Sequence, residues 1–245
     1  MNPAILNFGS CNIDHVYTVE AFVSPGETLS SGTYQTFPGG KGFNQSVAIV
    51  QAGGDCSHVG RIGRDGEWLK GMLRSLGINT DFLTVSTEPT GHAIIQINQE
   101  GENAIITHGG ANHTITQSEI DFALEGTKET DLVLIQNEIK NVGYIIERAK
   151  KNGLQVAFNA APINKGVENY PLDALDLLFL NEIEAEQLSG ATGTAEMIRA
   201  LSKRFPETKL IITLGEYGSI YHFKGETLQQ AAIEVARIID TTGAG

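Results

Sequence analysis

Apolar runs and helical stretches alternate along the second half of the chain. Several short runs are apolar without a polar residue at every second position, which predicts buried strands. Such strands, each followed by helical periodicity, are typical of a parallel sheet with helices on both faces. The pattern predicts an α/β fold with a doubly wound, mainly parallel sheet. The predicted strands are 4–10, 131–136, 154–159, 175–180 and 209–214, and the predicted helices are 117–124 and 142–151, with two more after residue 181.

The first part of the chain carries more β pattern. Segments 15–22 ("HVYTVEAF") and 28–37 ("TLSSGTYQTF") predict two strands on either side of a Pro-Gly break. Segment 92–110 predicts a hairpin with "QEGE" at its tip. The stretch "GGKG" (39–42) predicts a loop that precedes a helix at 44–52. These strands predict a small β appendage.

Another amphipathic helix is predicted within 66–77. Its apolar residues recur at helical spacing and are expected to form one core face. They are Trp68, Leu69, Met72, Leu73 and Leu76.

Composition narrows the class of protein. The formal net charge of −12 argues against nucleic-acid binding, although a local cluster of amides and cations can still hold an anion. Cys11 and Cys56 match no disulfide framework or zinc spacing, so reduced thiols and a cytoplasmic location are expected. The sequence shows no signal-peptide pattern and no apolar run near the roughly 18 residues of a membrane helix, so no membrane association is expected.

Polar residues follow several of the predicted strands. A lone Asn or Asp in such a place is usually a turn former or helix cap. Together they suggest one crevice, because ligands bind beyond the carboxyl ends of parallel strands. The residues are Asn12, Asp14, Glu138, Asn159, Asn181, Glu184, Thr213 and Gly215.

Two glycine-rich segments point to close backbone contacts. "GGKG" is not a Walker A loop, because Gln35 and Gly42 stand where Gly and Ser or Thr are needed. "DTTGAG" (240–245) has the composition of an anion-binding turn at a helix start. No dinucleotide-binding fingerprint follows the first strand, which disfavours an oxidoreductase.

These motifs resemble those of the phosphofructokinase-B (pfkB) family of carbohydrate kinases, in its ribokinase branch. "GGKGFNQS" (39–46) and "DTTGAG" carry the resemblance, and "GSCNID", "THGGAN", "NEIEAE" and "TLGEYGS" support it. The resemblance spans the whole chain. It implies ATP-dependent phosphorylation of a sugar hydroxyl, with ribose converted to ribose 5-phosphate.

The resemblance also implies an architecture. One ribokinase-like α/β domain would cover 1–245, with a β-sheet lid formed by about 15–22, 28–37 and part of 92–107. Such lids pair between subunits in many members, so a homodimer is expected.

Site residues follow from the resemblance in two groups. The sugar would contact Asn12, Asp14, Gly39, Gly40, Lys41, Asn44 and Glu138. Asn181 and Glu184 would organise Mg²⁺ through water, and Thr213 and Gly215 would face ATP. A potassium ion would lie at Asp240 and Thr242, and Gly243, Ala244 and Gly245 would form the anion hole.

Two departures from the family pattern bear on activity. Phe43 stands where a small residue is usual, so it is expected to narrow or reorient the sugar pocket. The family's general-base Asp would follow Gly245, where the sequence ends. Loss of a positioned base costs about 10²–10⁴ in rate, so little or no kinase activity, and instability or self-association, are expected of residues 1–245.

Two alternatives stay open at this point. The chain is a kinase of another sugar or of a nucleoside, or it is a non-catalytic sugar-binding or regulatory remnant. A panel of sugars and nucleosides separates the kinases, and sugar binding without an effect of ATP would mark the remnant.

Overall fold

The structure is a computed structural model that describes residues 4–164 and 166–233. Within these residues short strands and helices alternate. The strands are β1 (Ala4–Phe8), β2 (Asn12–Thr18), β3 (Thr33–Gly39), β4 (Asp55–Ile62), β5 (Leu83–Val85), β6 (Gly91–Ile97), β7 (Asn103–His108), β8 (Leu132–Gln136), β9 (Gln155–Asn159), β10 (Leu177–Asn181), β11 (Lys209–Thr213), β12 (Ser219–Phe223) and β13 (Glu226–Gln230). The α-helices are α1 (Lys41–Gln51), α2 (Glu67–Ser75), α3 (Gln117–Leu124), α4 (Val142–Lys151), α5 (Glu182–Ser189) and α6 (Thr194–Arg204).

The chain divides into two compact units. Residues 7–116 and 138–140 form the N-terminal unit. The described parts of 1–6, 117–137 and 141–245 form the C-terminal unit. Strand β1 supplies residues to both.

The N-terminal unit contains a four-stranded sheet in the order β3-β2-β6-β7, called the small sheet below. Strand β2 runs antiparallel to β3 and parallel to β6, and β6 forms a hairpin with β7. Strands β4 and β5 pair in parallel, and α1 packs on β4. A buried cluster that includes Phe43, Ile62 and Leu69 fills this unit. The predicted small β structure is confirmed.

The C-terminal unit contains the parallel strands. Neighbours β8, β9, β10 and β11 are all parallel, whereas β12 and β13 continue antiparallel. Helix α4 packs against β8 and β9, and α5 packs against β10 and β11. The register pairs Asn181 with Thr213, so these residues end adjacent strands at the same edge. The predicted α/β fold with a mainly parallel sheet is confirmed.

Three expectations about local structure are wrong. Asn12 and Asp14 do not follow β1 as loop residues but lie within β2 of the small sheet. "GGKG" is not a loop, since Gly39 ends β3 and α1 already begins at Lys41. In α2 only Leu69 and Leu73 are fully buried; the Trp68 side chain is 39% exposed, because the helix presents a narrow apolar stripe to the core.

Helices in the described part of the chain are short. None of them has both the length and the apolar character that a bilayer crossing requires.

Candidate functional site

Asn12, the first predicted site residue, begins β2 directly after the connector 9–11 that follows β1. Asn112, buried in a 3₁₀ turn, accepts a hydrogen bond from the Cys11 backbone N–H at 3.0 Å and donates to the Cys11 carbonyl at 3.3 Å. Its Nδ2 also donates to Asn12 Oδ1 at 2.7 Å. Because the Cys11 N–H fixes which Asn112 atom is the oxygen, the Asn12 atom facing Asn112 must be the acceptor. The Asn12 amide NH₂ group has no acceptor within the described residues.

Asp14 lies two residues further along β2, on the same face as Asn12. Its side chain is only 8% exposed, and no described residue donates a hydrogen bond to its carboxylate. Burial, and next to it the charge of Glu138, raises the pKa of Asp14 to about 6. A donor on Asn12 and an acceptor on Asp14 therefore stand on one face without protein partners. That is the complement of a hydroxyl group, which both donates and accepts.

Glycines let the start of α1 lie against the connector. Gly40 has φ +91° and precedes the helix, and a Cβ there would come within 2.9 Å of the Ser10 carbonyl. A Cβ at Gly42 would overlap the Gly9 and Ser10 backbone, and one at Gly39 would overlap the Asp14 carboxylate. The Phe43 N–H donates to the Ser10 carbonyl at 2.8 Å. Glycine is needed here for close backbone approach.

Glu138 belongs to the same constellation. Its Oε2 accepts hydrogen bonds from Ser10 Oγ at 2.5 Å and from the Lys41 backbone N–H at 3.0 Å. The second bond places a carboxylate at the N-terminus of α1, where the helix dipole favours negative charge. The Gly42 N–H in turn donates to Ser10 Oγ at 3.3 Å. Ser10 thus ties Glu138 to the helix start.

The predicted sugar residues are therefore brought together in the N-terminal unit. Asn44 joins them through its backbone N–H, which donates to the Gly40 carbonyl at 3.0 Å. The Lys41 and Asn44 side chains make no hydrogen bond to a described residue. Phe43 does not narrow this site as expected, because its side chain is 3% exposed and packs in the hydrophobic cluster with Cys11 and Ile13.

Asn181 and Glu184 form a capping box at the start of α5 in the C-terminal unit. Asn181 Oδ1 accepts from the Glu184 N–H at 2.8 Å, and Glu184 Oε2 accepts from the Asn181 N–H at 2.9 Å. The pair therefore has the structural function of a helix cap, which the sequence had left open beside the magnesium function. Glu184 is 7% exposed, and its Oε1 lies outside the box.

Other predicted nucleotide residues lie at the neighbouring strand end. Thr213 ends β11, and Gly215 has φ +56° in the turn that follows. Within the described residues no three His, Cys, Asp or Glu side chains cluster as a metal site. Asp240, Thr242, Gly243, Ala244 and Gly245 lie outside the described residues, so the potassium site and the anion hole stay predictions.

Sequence reasoning missed the functions of Ser10 and Asn112. Both act through hydrogen bonds to residues far away in sequence, which no local pattern reveals. The segment "THGGAN" contains Asn112, so the sequence could mark Asn112 as a motif residue, but it could not show that Asn112 binds Cys11 and Asn12.

Comparisons with known proteins identify the family. Residues 2–245 match the family described as pfkB family carbohydrate kinase. A ribokinase of Staphylococcus aureus (strain COL) is 34% identical over 100% of this chain and 83% of its own length. The structure of Arabidopsis thaliana ribokinase complexed with ribose and ATP is 30% identical, with a TM-score of 0.87 over 100% of this chain and 82% of that one. Ribokinase from Cryptococcus neoformans var. grubii serotype A in complex with ADP is 29% identical, with a TM-score of 0.81 over 98% of this chain and 82% of that one. The chain belongs to the pfkB family of carbohydrate kinases.

Proposed function

We propose that this sugar kinase transfers the terminal phosphoryl group of ATP to D-ribose and forms ribose 5-phosphate. One observation carries the choice of a polyol substrate. Asn12 offers a donor and Asp14 a buried acceptor, side by side on β2, and neither has a protein partner within the described residues. Asn12 is only partly buried and solvent reaches both groups, so a sugar hydroxyl would replace water there and gain about 0.5–1.5 kcal/mol for each net hydrogen bond.

Positioning of the sugar is the protein's main contribution to this chemistry. Phosphoryl transfer depends on alignment and charge neutralisation more than on covalent catalysis. Gly39 and Gly40 would border the sugar with their backbone, while their missing side chains leave room for Asp14 and for the connector, and Glu138 would accept from a further hydroxyl. The positive charge of Lys41 would offset the negative charges of Asp14, Glu138 and the phosphate. The small sheet would act as a lid over the bound sugar.

The nucleotide residues fit a magnesium ion held mainly by phosphate oxygens. Magnesium commonly uses one or two carboxylates, several waters and the substrate phosphates. Glu184 Oε1 would hold it through water, while Asn181 keeps that carboxylate in place through the capping box. Thr213 and Gly215 would contact ATP. A potassium ion at Asp240 and Thr242 would support the anion hole at 243–245.

We also propose a cytoplasmic homodimer that pairs through the small sheet. Ile94 and Ile106 pair across β6 and β7 on one face of this sheet, and both are exposed, Ile106 to 67%. Apolar exposure of this kind is common at association surfaces.

Calorimetry and a coupled ADP-release assay test the proposed function. D-Ribose, 2-deoxy-D-ribose, D-fructose and inosine are titrated separately, and ADP release is then followed with Mg²⁺ and ATP. The proposal expects binding of D-ribose, with the other compounds weaker, and loss of binding in the Asp14→Asn variant. Binding of inosine but not of ribose would contradict it.

A further inference from the structure

A buried polar network lies beneath the connector that joins β1 to β2, and the proposed function does not use it. Asn7, Ser46 and His58 come from β1, α1 and β4, and each is completely buried. Asn7 Nδ2 donates to Ser46 Oγ at 2.7 Å, and Ser46 Oγ lies 2.8 Å from His58 Nδ1. His58 Nε2 lies 3.3 Å from Cys11 Sγ.

The neighbours of His58 favour one tautomer. Ser46 Oγ accepts from Asn7, and its contact with the Cys56 thiol is long, at 3.6 Å. The Gly9 carbonyl favours an N–H on the His58 ring, and it lies beside Gly60 together with Nε2, whereas Nδ1 faces Ser46. The hydrogen is therefore placed on Nε2, 3.3 Å from Cys11 Sγ, and Ser46 donates to Nδ1.

The imidazole stays neutral in this arrangement. Burial lowers the pKa of His58 to about 4, and a second ring proton would displace the bond from Ser46. Burial also raises the pKa of the Cys11 thiol, so no ion pair forms between the two. A neutral imidazole with one donor and one acceptor links α1 to the connector.

Ser10, in the middle of the connector, is held by its bonds to Phe43, Gly42 and Glu138, whereas Gly9 and Cys11 on either side of it have other partners. The Gly9 N–H donates to the Val59 carbonyl at 3.0 Å, and both backbone groups of Cys11 are taken by Asn112. The Gly9 carbonyl lies near the His58 ring, where it favours a ring N–H. Asn12 follows directly, so a shift of Gly9 or Cys11 moves the donor that faces the sugar.

We infer that His58 is a positioning residue for the sugar site, holding the Gly9–Cys11 connector against α1 through its Nε2–H. This inference rests on the proposed function for the identity of the ligand. The side chain touches no substrate, so it acts only through Gly9 and Cys11.

Two substitutions separate the donor function of Nε2 from the acceptor function of Nδ1. His58→Gln can place an amide N–H near the Nε2 position and keep the donor to the connector. His58→Asn can place its oxygen near the Nδ1 position and keep only the acceptor for Ser46. Both lower the thermal midpoint. We expect D-ribose affinity to fall about tenfold in the Asn variant and less than about threefold in the Gln variant, since one buried hydrogen bond is at stake.

Ile62→Val is the matched control, because Ile62 is fully buried on the same strand as His58 and its substitution also lowers stability. It should leave ribose affinity unchanged. Equal losses of affinity in the Asn and Gln variants, or an equal loss in Ile62→Val at a matched thermal midpoint, would overturn the inference.

Two measurements without ribose keep the inference separate from the proposed function. Nitrogen-15 NMR of the unmodified protein should show His58 as the neutral Nε2–H tautomer at pH 7, and an Nδ1–H tautomer would refute it. Amide exchange across 9–14 should quicken in His58→Asn and not in His58→Gln. If the unmodified protein binds no ribose, the proposed function fails, and these two results alone decide on the positioning role.

Discussion

The carboxylate of Asp14 occupies the space that a side chain at Gly39 would fill. The two residues lie on neighbouring antiparallel strands of the small sheet, and a Cβ added to Gly39 would overlap all three carboxyl atoms of Asp14. The Asp14 carboxylate can therefore take its buried position only because residue 39 is a glycine. Glycine at 39 sets where Asp14 points.

Gly39→Ala should therefore weaken sugar binding more than it weakens folding. The methyl group forces the Asp14 carboxylate to turn, which breaks its alignment with the Asn12 amide. We expect ribose affinity to fall by more than about tenfold and the free energy of unfolding by about 1–2 kcal/mol. Calorimetry and thermal unfolding measure the two effects.

Gly71→Ala serves as the control for that change. Gly71 lies within α2 with open space around its Cα, so alanine there should raise stability by about 0.5–1 kcal/mol and leave ribose affinity intact. Unchanged ribose binding in Gly39→Ala would show that Asp14 is not aligned by this contact.

Ribose affinity should depend on pH through Asp14. The ionised carboxylate accepts the hydroxyl proton, and its pKa is raised to about 6 by burial and the nearby Glu138 charge. Below pH 6 the protonated fraction grows, so affinity should fall by up to about tenfold for each pH unit. Calorimetric titrations from pH 5 to 8 measure this, and a flat profile would argue that Asp14 does not bind the sugar.

Asp14→Asn should stabilise the ligand-free protein while it removes sugar binding. The folded pKa is near 6 and the ordinary value is 3.8, so the folded state binds more protons between about pH 4 and 6. Stability of the unmodified protein therefore falls as pH rises through this window. Above pH 6 the variant should be more stable by about 1–2 kcal/mol, and below pH 4 the difference should vanish. Chemical unfolding at pH 4 and pH 7 measures both, and a less stable variant at pH 7 would contradict the account.

Sequence reasoning reached the main fold because the apolar runs of β8 to β11 are long enough to be recognised. It failed where a residue's neighbours are distant in sequence. Asn12 and Asp14 resembled loop residues after β1, because the polar residues of "GSCNID" interrupt the apolar pattern that marks a strand. Their place in β2 depends on pairing with Gly39 and Gly91.

In the candidate site, too, local features could be predicted and distant contacts could not. The glycines of "GGKG" predicted close backbone contact, and the structure places that segment against Ser10. The bonds from Asn112 to Cys11 and Asn12 span about a hundred residues, so they follow from the tertiary fold and not from any local pattern. For Phe43 the motif predicted the wrong contact. The sequence placed it at the sugar pocket, and only the direction of its side chain on α1 shows that it packs in the core.

Glu184→Gln should separate the structural and the metal-binding functions of this residue. Glutamine keeps an oxygen for the Asn181 N–H, so the capping box survives and stability should change little. The lost charge should weaken binding of Mg²⁺–ATP by about tenfold. Glu184→Ala should show the same loss of nucleotide binding together with about 1 kcal/mol of stability. Nucleotide binding that is unchanged in Glu184→Gln would assign the residue to the capping box alone.

Ile106→Lys tests association through the small sheet. Ile106 is paired with Ile94 across β6 and β7 on the face opposite to Asp14, and both side chains are exposed. A lysine there places a charge in the proposed interface without touching the sugar residues. Sedimentation should show a dimer for the unmodified protein and a monomer for the variant, with the thermal midpoint of the diluted protein unchanged. Phe122→Lys is the control, because Phe122 is 63% exposed on α3 of the C-terminal unit. A dimer that survives Ile106→Lys and is lost in Phe122→Lys would move the interface away from the small sheet.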